Sequence, residues 1–233
     1  MKRIKFFLLF FFLIFTNRTV KAQLTETQGW FFLSHTQTLN KKFDLLADVQ
    51  TRSSNHFNYL TTLLLRGALS YNITTKHSVA VGYAYKGDWE KEDLMATIYG
   101  HENRIYEQYI YKFKIRSIEM MFRTRLEQRW VMDELTHFSQ RGRLFLSAQI
   151  PLIADTAFNR GPYLGVQNEV FLNIQHKDRV NNAAFDQNRA FGSFGYRFSK
   201  KIDAELGYLF WYQKEMDASY RRNVFQLMLT THF

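Results

Sequence analysis

Arg123, Arg125, Glu127 and Arg129 recur at every second position within residues 122–130. Guanidinium and carboxylate groups at this density can do two things. They can form two-point Arg–carboxylate pairs, because the planar fork of Arg matches a carboxylate. Their surplus positive charge can also attract anions. Further groups of the same kind lie elsewhere: Glu102, Arg104 and Gln108, then Arg141 and Arg143, Glu169 beside Asn168, and Gln187 and Arg189 flanking Asn188. Together, Glu102, Arg104, Gln108, Arg123, Arg125, Glu127, Arg129, Arg141, Arg143, Glu169, Gln187 and Arg189 make up the candidate interior network.

The element that positions them is a β-strand. Phe122, Thr124, Leu126, Gln128 and Trp130 fall on one face of residues 122–130 and the charges on the other, a sorting that follows from a side-chain period of two. The same alternation appears in residues 43–52, 59–71, 77–86, 102–113, 139–151, 163–175, 185–198, 202–213 and 224–233, with a more mixed strand over 29–38. On 77–86 the polar face is small (Ser78, Ala80, Gly82, Ala84), leaving room for long side chains from across a barrel. Residues 87–101 read as a charged loop.

Alternating segments of about ten residues, joined by turns, fit a transmembrane barrel better than the shorter strands of a soluble sandwich, which is the competing architecture. Aromatic residues gather near the strand ends, among them Tyr83, Tyr85, Tyr109, Tyr111, Trp130 and Tyr212, where interfacial girdles lie. The fold expected is therefore all-β, an antiparallel transmembrane barrel. Alternation yields eleven segments, but single-chain bacterial barrels have even strand numbers. The expected count is thus about twelve, with ten as the alternative and a further strand placed near residues 152–160.

Residues 1–22 read as a signal peptide. Lys2, Arg3 and Lys5 precede ten uninterrupted apolar residues (6–15), and Ala22 marks the cleavage position. Residues 23–233 then form a single barrel domain in the outer membrane. Removing the five basic residues of the leader lowers the formal charge from +10 to +5, too little to point to nucleic acid. There is no cysteine, so disulfides are excluded. Phe225, Leu227, Leu229 and the final Phe233 resemble the C-terminal assembly signal of bacterial outer-membrane barrels. The partners expected are outer-membrane lipids and the barrel-assembly machinery, with a small anionic solute as an alternative.

Several pieces of sequence resemble the family called domain of unknown function 2490. They are Gly29-Trp30, Leu65-Arg66-Gly67, Gly82-Tyr83 and Glu205-Leu206-Gly207-Tyr208. The most specific are Glu102-Asn103-Arg104, the run from Arg123 to Arg129, and Asn188-Arg189. The resemblance implies an outer-membrane barrel of Gram-negative bacteria with no assigned activity, and it supplies no catalytic residue.

Three functional readings follow. In the first, the charges form a structural network that fills the barrel of an envelope protein. In the second, they line a narrow anion-preferring pore. In the third, the chain is a lipid-modifying hydrolase or acyltransferase, for which His101 beside Glu102, His137 near Ser139, and Ser34 next to His35 are the nucleophile and base candidates. No Gly-x-Ser-x-Gly motif supports the third. No cofactor or metal residue is assigned. The acidic run Asp88, Glu90, Glu92 and Asp93 lacks the ligand spacing of a calcium loop.

Overall fold

The alternation of the sequence becomes one continuous wall. The computed structural model describes residues 23–91, 97–132, 136–153, 158–216 and 218–233. The signal-peptide expectation for residues 1–22 lies outside them, as do Glu92 and Asp93. Eleven strands follow one another: β1 (Gln23–Thr38), β2 (Phe43–Ser53), β3 (Leu60–Asn72), β4 (His77–Lys91), β5 (Thr97–Ile115), β6 (Ile118–Met132), β7 (Thr136–Pro151), β8 (Gly161–Gln175), β9 (Phe185–Ser199), β10 (Ile202–Lys214) and β11 (Ser219–His232). Short 3-10 turns, Asn55–Phe57 and Lys177–Arg179, interrupt two connections. Among the described residues there is no α-helix.

Each strand pairs antiparallel with its sequence neighbours, and β1 closes the barrel against β11. That closing pair is parallel, in register from Gln23↔Ser219 to Thr36↔His232. The count is a correction to the expected twelve or ten. Its geometric consequence is simple: a meander reverses direction at every turn, so its first and eleventh strands run the same way and can close only as a parallel pair. Residues 152, 153 and 158–160 supply no extra strand, and β1 is a full wall strand. A second correction concerns residues 87–101. Most of them are strand, since β4 runs on to Lys91 and β5 already begins at Thr97.

The odd count places the start of β1 and the end of β11 on opposite rims. The C-terminal rim carries Phe233 and the connections after β1, β3, β5, β7 and β9. The N-terminal rim carries Gln23 and the connections after β2, β4, β6, β8 and β10. Phe233 is tied into the wall: its N–H donates to the Thr36 carbonyl at 2.8 Å, and its own carbonyl accepts from the Thr38 N–H at 2.6 Å.

Exposed Leu, Val, Ile and Phe side chains point outward. Leu45, Leu65, Val81, Ile105, Leu126, Leu146, Val166, Phe194, Leu206 and Leu227 carry this face on β2 through β11. The interior holds two apolar clusters. Trp30, Phe191, Leu209, Trp211, Val224 and Met228 form one, and Leu64, Ala68, Ala80, Ala84 and Tyr106 the other. The space above the small face of β4 is taken by the adjacent strand, not from across the barrel. Gly82 sits opposite Tyr106 of β5, and a Cβ at Gly82 would run into the Tyr106 ring and the Gly67 carbonyl. Gly195 makes the same accommodation for Tyr163, which is fully buried.

Candidate functional site

All twelve candidate network residues lie on inward-facing strand positions, and all but Arg189 resolve into two nodes. In the first, on β5 and β6, Glu102 accepts from Arg104 Nε and Nη2, both at 2.8 Å, and from Arg129. In the second, on β6 to β9, Glu127 is 1% exposed. It accepts from Arg141 Nη2 at 2.7 Å and Nε at 3.0 Å, and from Arg143 Nη1 at 2.5 Å. Arg143 also donates to Glu169 at 2.8 to 3.0 Å, and Arg123 reaches the same carboxylate at 2.8 Å. Arg125 forks onto the Gln108 oxygen at 2.7 and 3.1 Å, lies 3.7 Å from Glu127, and stacks 4.1 Å above the Tyr106 ring. The result is a bonded chain along the inner wall from β5 to β9, in which Glu102, Glu127 and Glu169 each have at least two cationic partners. Such pairing is what keeps buried charge tolerable.

Strict alternation hides one member of this chain. Between β8 and β9 the register shifts at Phe171/Leu172, so that Asp186 is skipped. The bulge turns both Asp186 and Gln187 inward. Asp186 then accepts from Arg141 Nη1 at 3.0 Å and from Gln187 at 3.1 Å. Nothing in the period-two pattern signals it. Other interior charges lie on polar faces outside the candidate network. Arg66 pairs with Asp48 at 2.5 Å, and Ser193 and Tyr163 donate to Glu205 at 2.6 and 2.9 Å.

Toward the C-terminal rim Arg197 gathers a second cluster of contacts. Arg197 bonds Asp203 at 2.9 Å, Glu119 at 3.0 Å, Gln149 at 2.8 Å and the Phe158 carbonyl at 3.1 Å. Its guanidinium lies 4.0 Å above the Phe158 ring. Phe158, in the β7–β8 connection, is buried against Tyr163 with ring centroids 5.6 Å apart.

Toward the N-terminal rim there is space. A cavity of ≈ 690 Å³ reaches from rim residues such as Asn55, Asn58 and Glu90 down to Arg143, Phe171 and Leu64. Nine cationic side chains line it against four acidic ones.

The remaining candidates separate. Asn168 and Asn188, grouped with the polar face in the sequence, point outward and bond each other at 3.1 and 3.3 Å. His101 faces the opposite side of β5 from Glu102 and stacks on Tyr99, centroids 5.8 Å apart. His35 bonds Thr231 at 2.8 Å, while Ser34 points the other way along β1. His137 and Ser139 share a face of β7, with Ser139 buried beside the Arg129 position. Phe225 and Leu227 are exposed on the outer wall, and Phe233 is half exposed at the rim. Among the described residues no group of three or more His, Asp or Glu side chains is arranged to hold a metal.

A family model described as "Protein of unknown function (DUF2490)" matches residues 27–222. No curated protein and no solved structure matches the chain.

Proposed function

We propose that this chain, which belongs to the DUF2490 family, is an integral barrel of a Gram-negative outer membrane whose interior is sealed by Arg–carboxylate pairing. It serves as a structural or envelope-associated component and not as an open channel. The observation that carries this reading is the sorting of side chains around a closed ring. Exposed Leu, Val, Ile and Phe face outward on β2 through β11, while paired Arg and Glu face inward. A contiguous apolar belt of this extent is unusual on a protein surrounded by water, whereas lipid demands it. Closure supports the reading further, since no strand edge is left with unsatisfied backbone groups.

The bonded chain through Glu127 and the Phe158–Arg197 cluster support a sealed interior. The leader-like residues 1–22 agree with export.

Two measurements test the proposal. The full-length protein should fractionate with outer membranes and show heat-modifiable gel mobility. The purified barrel should give no steady conductance in planar bilayers. Recovery in the soluble fraction overturns the location, and a steady conducting step overturns the seal.

A further inference from the structure

Seven of the nine cations lining the cavity at the N-terminal rim have a carboxylate partner within 4.0 Å, and Arg52 and Arg189 have none among the described residues. These two come together on the same aromatic pair. Arg52 lies 4.0 Å above the Trp30 ring, and Arg189 lies 5.2 Å from Trp30 and 4.8 Å from Trp211. The two indoles pack edge to face, centroids 5.3 Å apart. Arg222, held by Glu26 at 2.5 Å, also covers Trp211 at 4.5 Å.

The buried N–H donors at this place lack acceptors. Arg52 Nε, Arg189 Nε and Trp211 Nε1 are buried without a hydrogen-bond partner, and Arg52 as a whole is 93% buried at 7% exposure. Buried donors are rarely left so, and a cluster of three beside unpaired positive charge calls for an acceptor carrying negative charge. We propose that the cavity is a binding site for a phosphate-bearing polar small molecule or headgroup, with the phosphate oxygens held by the guanidinium groups of Arg52 and Arg189.

Two guanidinium groups without a carboxylate partner on one cavity wall suit a phosphate monoester, whose charge approaches two and whose three terminal oxygens can accept from both forks. The indole faces are already covered by guanidinium groups, so the site reads charge and hydrogen bonding, not an aromatic ring. The volume of ≈ 690 Å³ falls within the range of small-molecule sites, so the group enters attached to something larger than itself. Gln28, Gln187, Gln213 and Thr61 line the remaining wall with neutral polar atoms for that body. The proposal does not depend on where the barrel resides.

The test uses the purified full-length barrel and its tryptophan fluorescence. Inorganic phosphate, glycerol 3-phosphate and phosphatidic acid in mixed micelles are titrated separately. Saturable binding of either soluble phosphate identifies a free ligand. Binding of phosphatidic acid alone identifies a lipid headgroup. Either result supports the site, provided that Arg52→Gln and Arg189→Gln weaken the binding about tenfold or more, as expected for one charge-assisted hydrogen bond lost. Lys200→Gln, exposed at the opposite rim, should leave it unchanged. A measurement on wild-type protein guards against misfolded variants: the bound probe should protect Arg52 and Arg189 from an arginine-specific dicarbonyl reagent. No saturable binding of any probe, equal binding by the Arg variants, or unprotected Arg52 and Arg189 overturns the proposal.

Discussion

Replacing Glu127 with glutamine keeps the shape of the side chain and removes its charge. One carboxylate oxygen accepts two bonds from Arg141 and the other accepts from Arg143 at 2.5 Å. A glutamine amide can present its carbonyl to only one of these guanidiniums, and its NH2 must face the donors of the other. One charge-assisted bond is lost, roughly 1.5–3 kcal/mol. The interior also gains an uncompensated positive charge, which raises the expected cost of breaking a buried pair to about 3–5 kcal/mol. Arg141 keeps Asp186 at 3.0 Å and Arg143 keeps Glu169 at 2.8 Å, so the loss should fall near the lower end, about 3 kcal/mol. Urea unfolding of the refolded barrel in micelles, followed by tryptophan fluorescence at unchanged m-value, measures it. Lys114→Gln is the internal control. Lys114 pairs with Glu119 at 2.8 Å but is 59% exposed, so its loss should register between about 0 and 1 kcal/mol. Adding Arg143→Gln to the Glu127 variant should cost less than the sum of the two single changes, with a coupling of about 0.5–3 kcal/mol. A Glu127→Gln loss below about 1 kcal/mol, or strict additivity, would refute the claim that this network holds the interior together.

Three further outcomes are expected. Leu206→Arg, at an outer-wall position 64% exposed, should destabilise the barrel in bilayers by about 2–4 kcal/mol if lipid surrounds it; a change within roughly 0.5 kcal/mol, as on a watery surface, would count against membrane residence. Gly82→Ala should cost about 1–3 kcal/mol in the same unfolding assay through overpacking. Because the added Cβ meets both the Tyr106 ring and the Gly67 backbone carbonyl, trimming Tyr106 alone should not restore the lost stability. Arg197→Gln should free the β7–β8 connection, seen as faster proteolysis near Phe158 in the intact barrel than in wild type; equal cleavage rates would show that Arg197 does not pin the connection.

Much of this architecture is legible in the sequence because a wall between two environments enforces alternation on every strand. The spacing of Arg123 to Arg129 puts the charges on one face of a strand, and the long alternating segments on either side make that face an interior one. Alternation also yields the right number of segments, and it was a general parity rule, not any residue, that pointed to a twelfth strand. The rule fails here because β1 and β11 pair in parallel. Asp186 escaped for a local reason, the bulge that shifts its phase by one residue. Residues 87–91 and 97–101 read as loop because the stretch is rich in charge, yet Trp89 and Tyr99 sit opposite each other with rings 5.4 Å apart and carry the β4–β5 ladder beyond the apolar belt. The convergence of Arg52, Arg189 and Arg222 on two tryptophans joins residues from opposite ends of the chain, a proximity that only ring closure creates.

The parallel seam also limits how the chain can be rewired. In a barrel with an even strand number the first and last strands end side by side, and a short loop can join them so that new ends are cut elsewhere. Here the start of β1 at Gln23 and the end of β11 at His232 stand at opposite rims. β1 is 16 residues long, about 40 Å of barrel height at ~3.3 Å per residue and ~40° tilt. A linker between those ends must run the full outer height of the wall, at least about 12 extended residues. Circular permutants with short linkers should therefore fail to close, and the order of strands in this chain is fixed by geometry as firmly as by sequence.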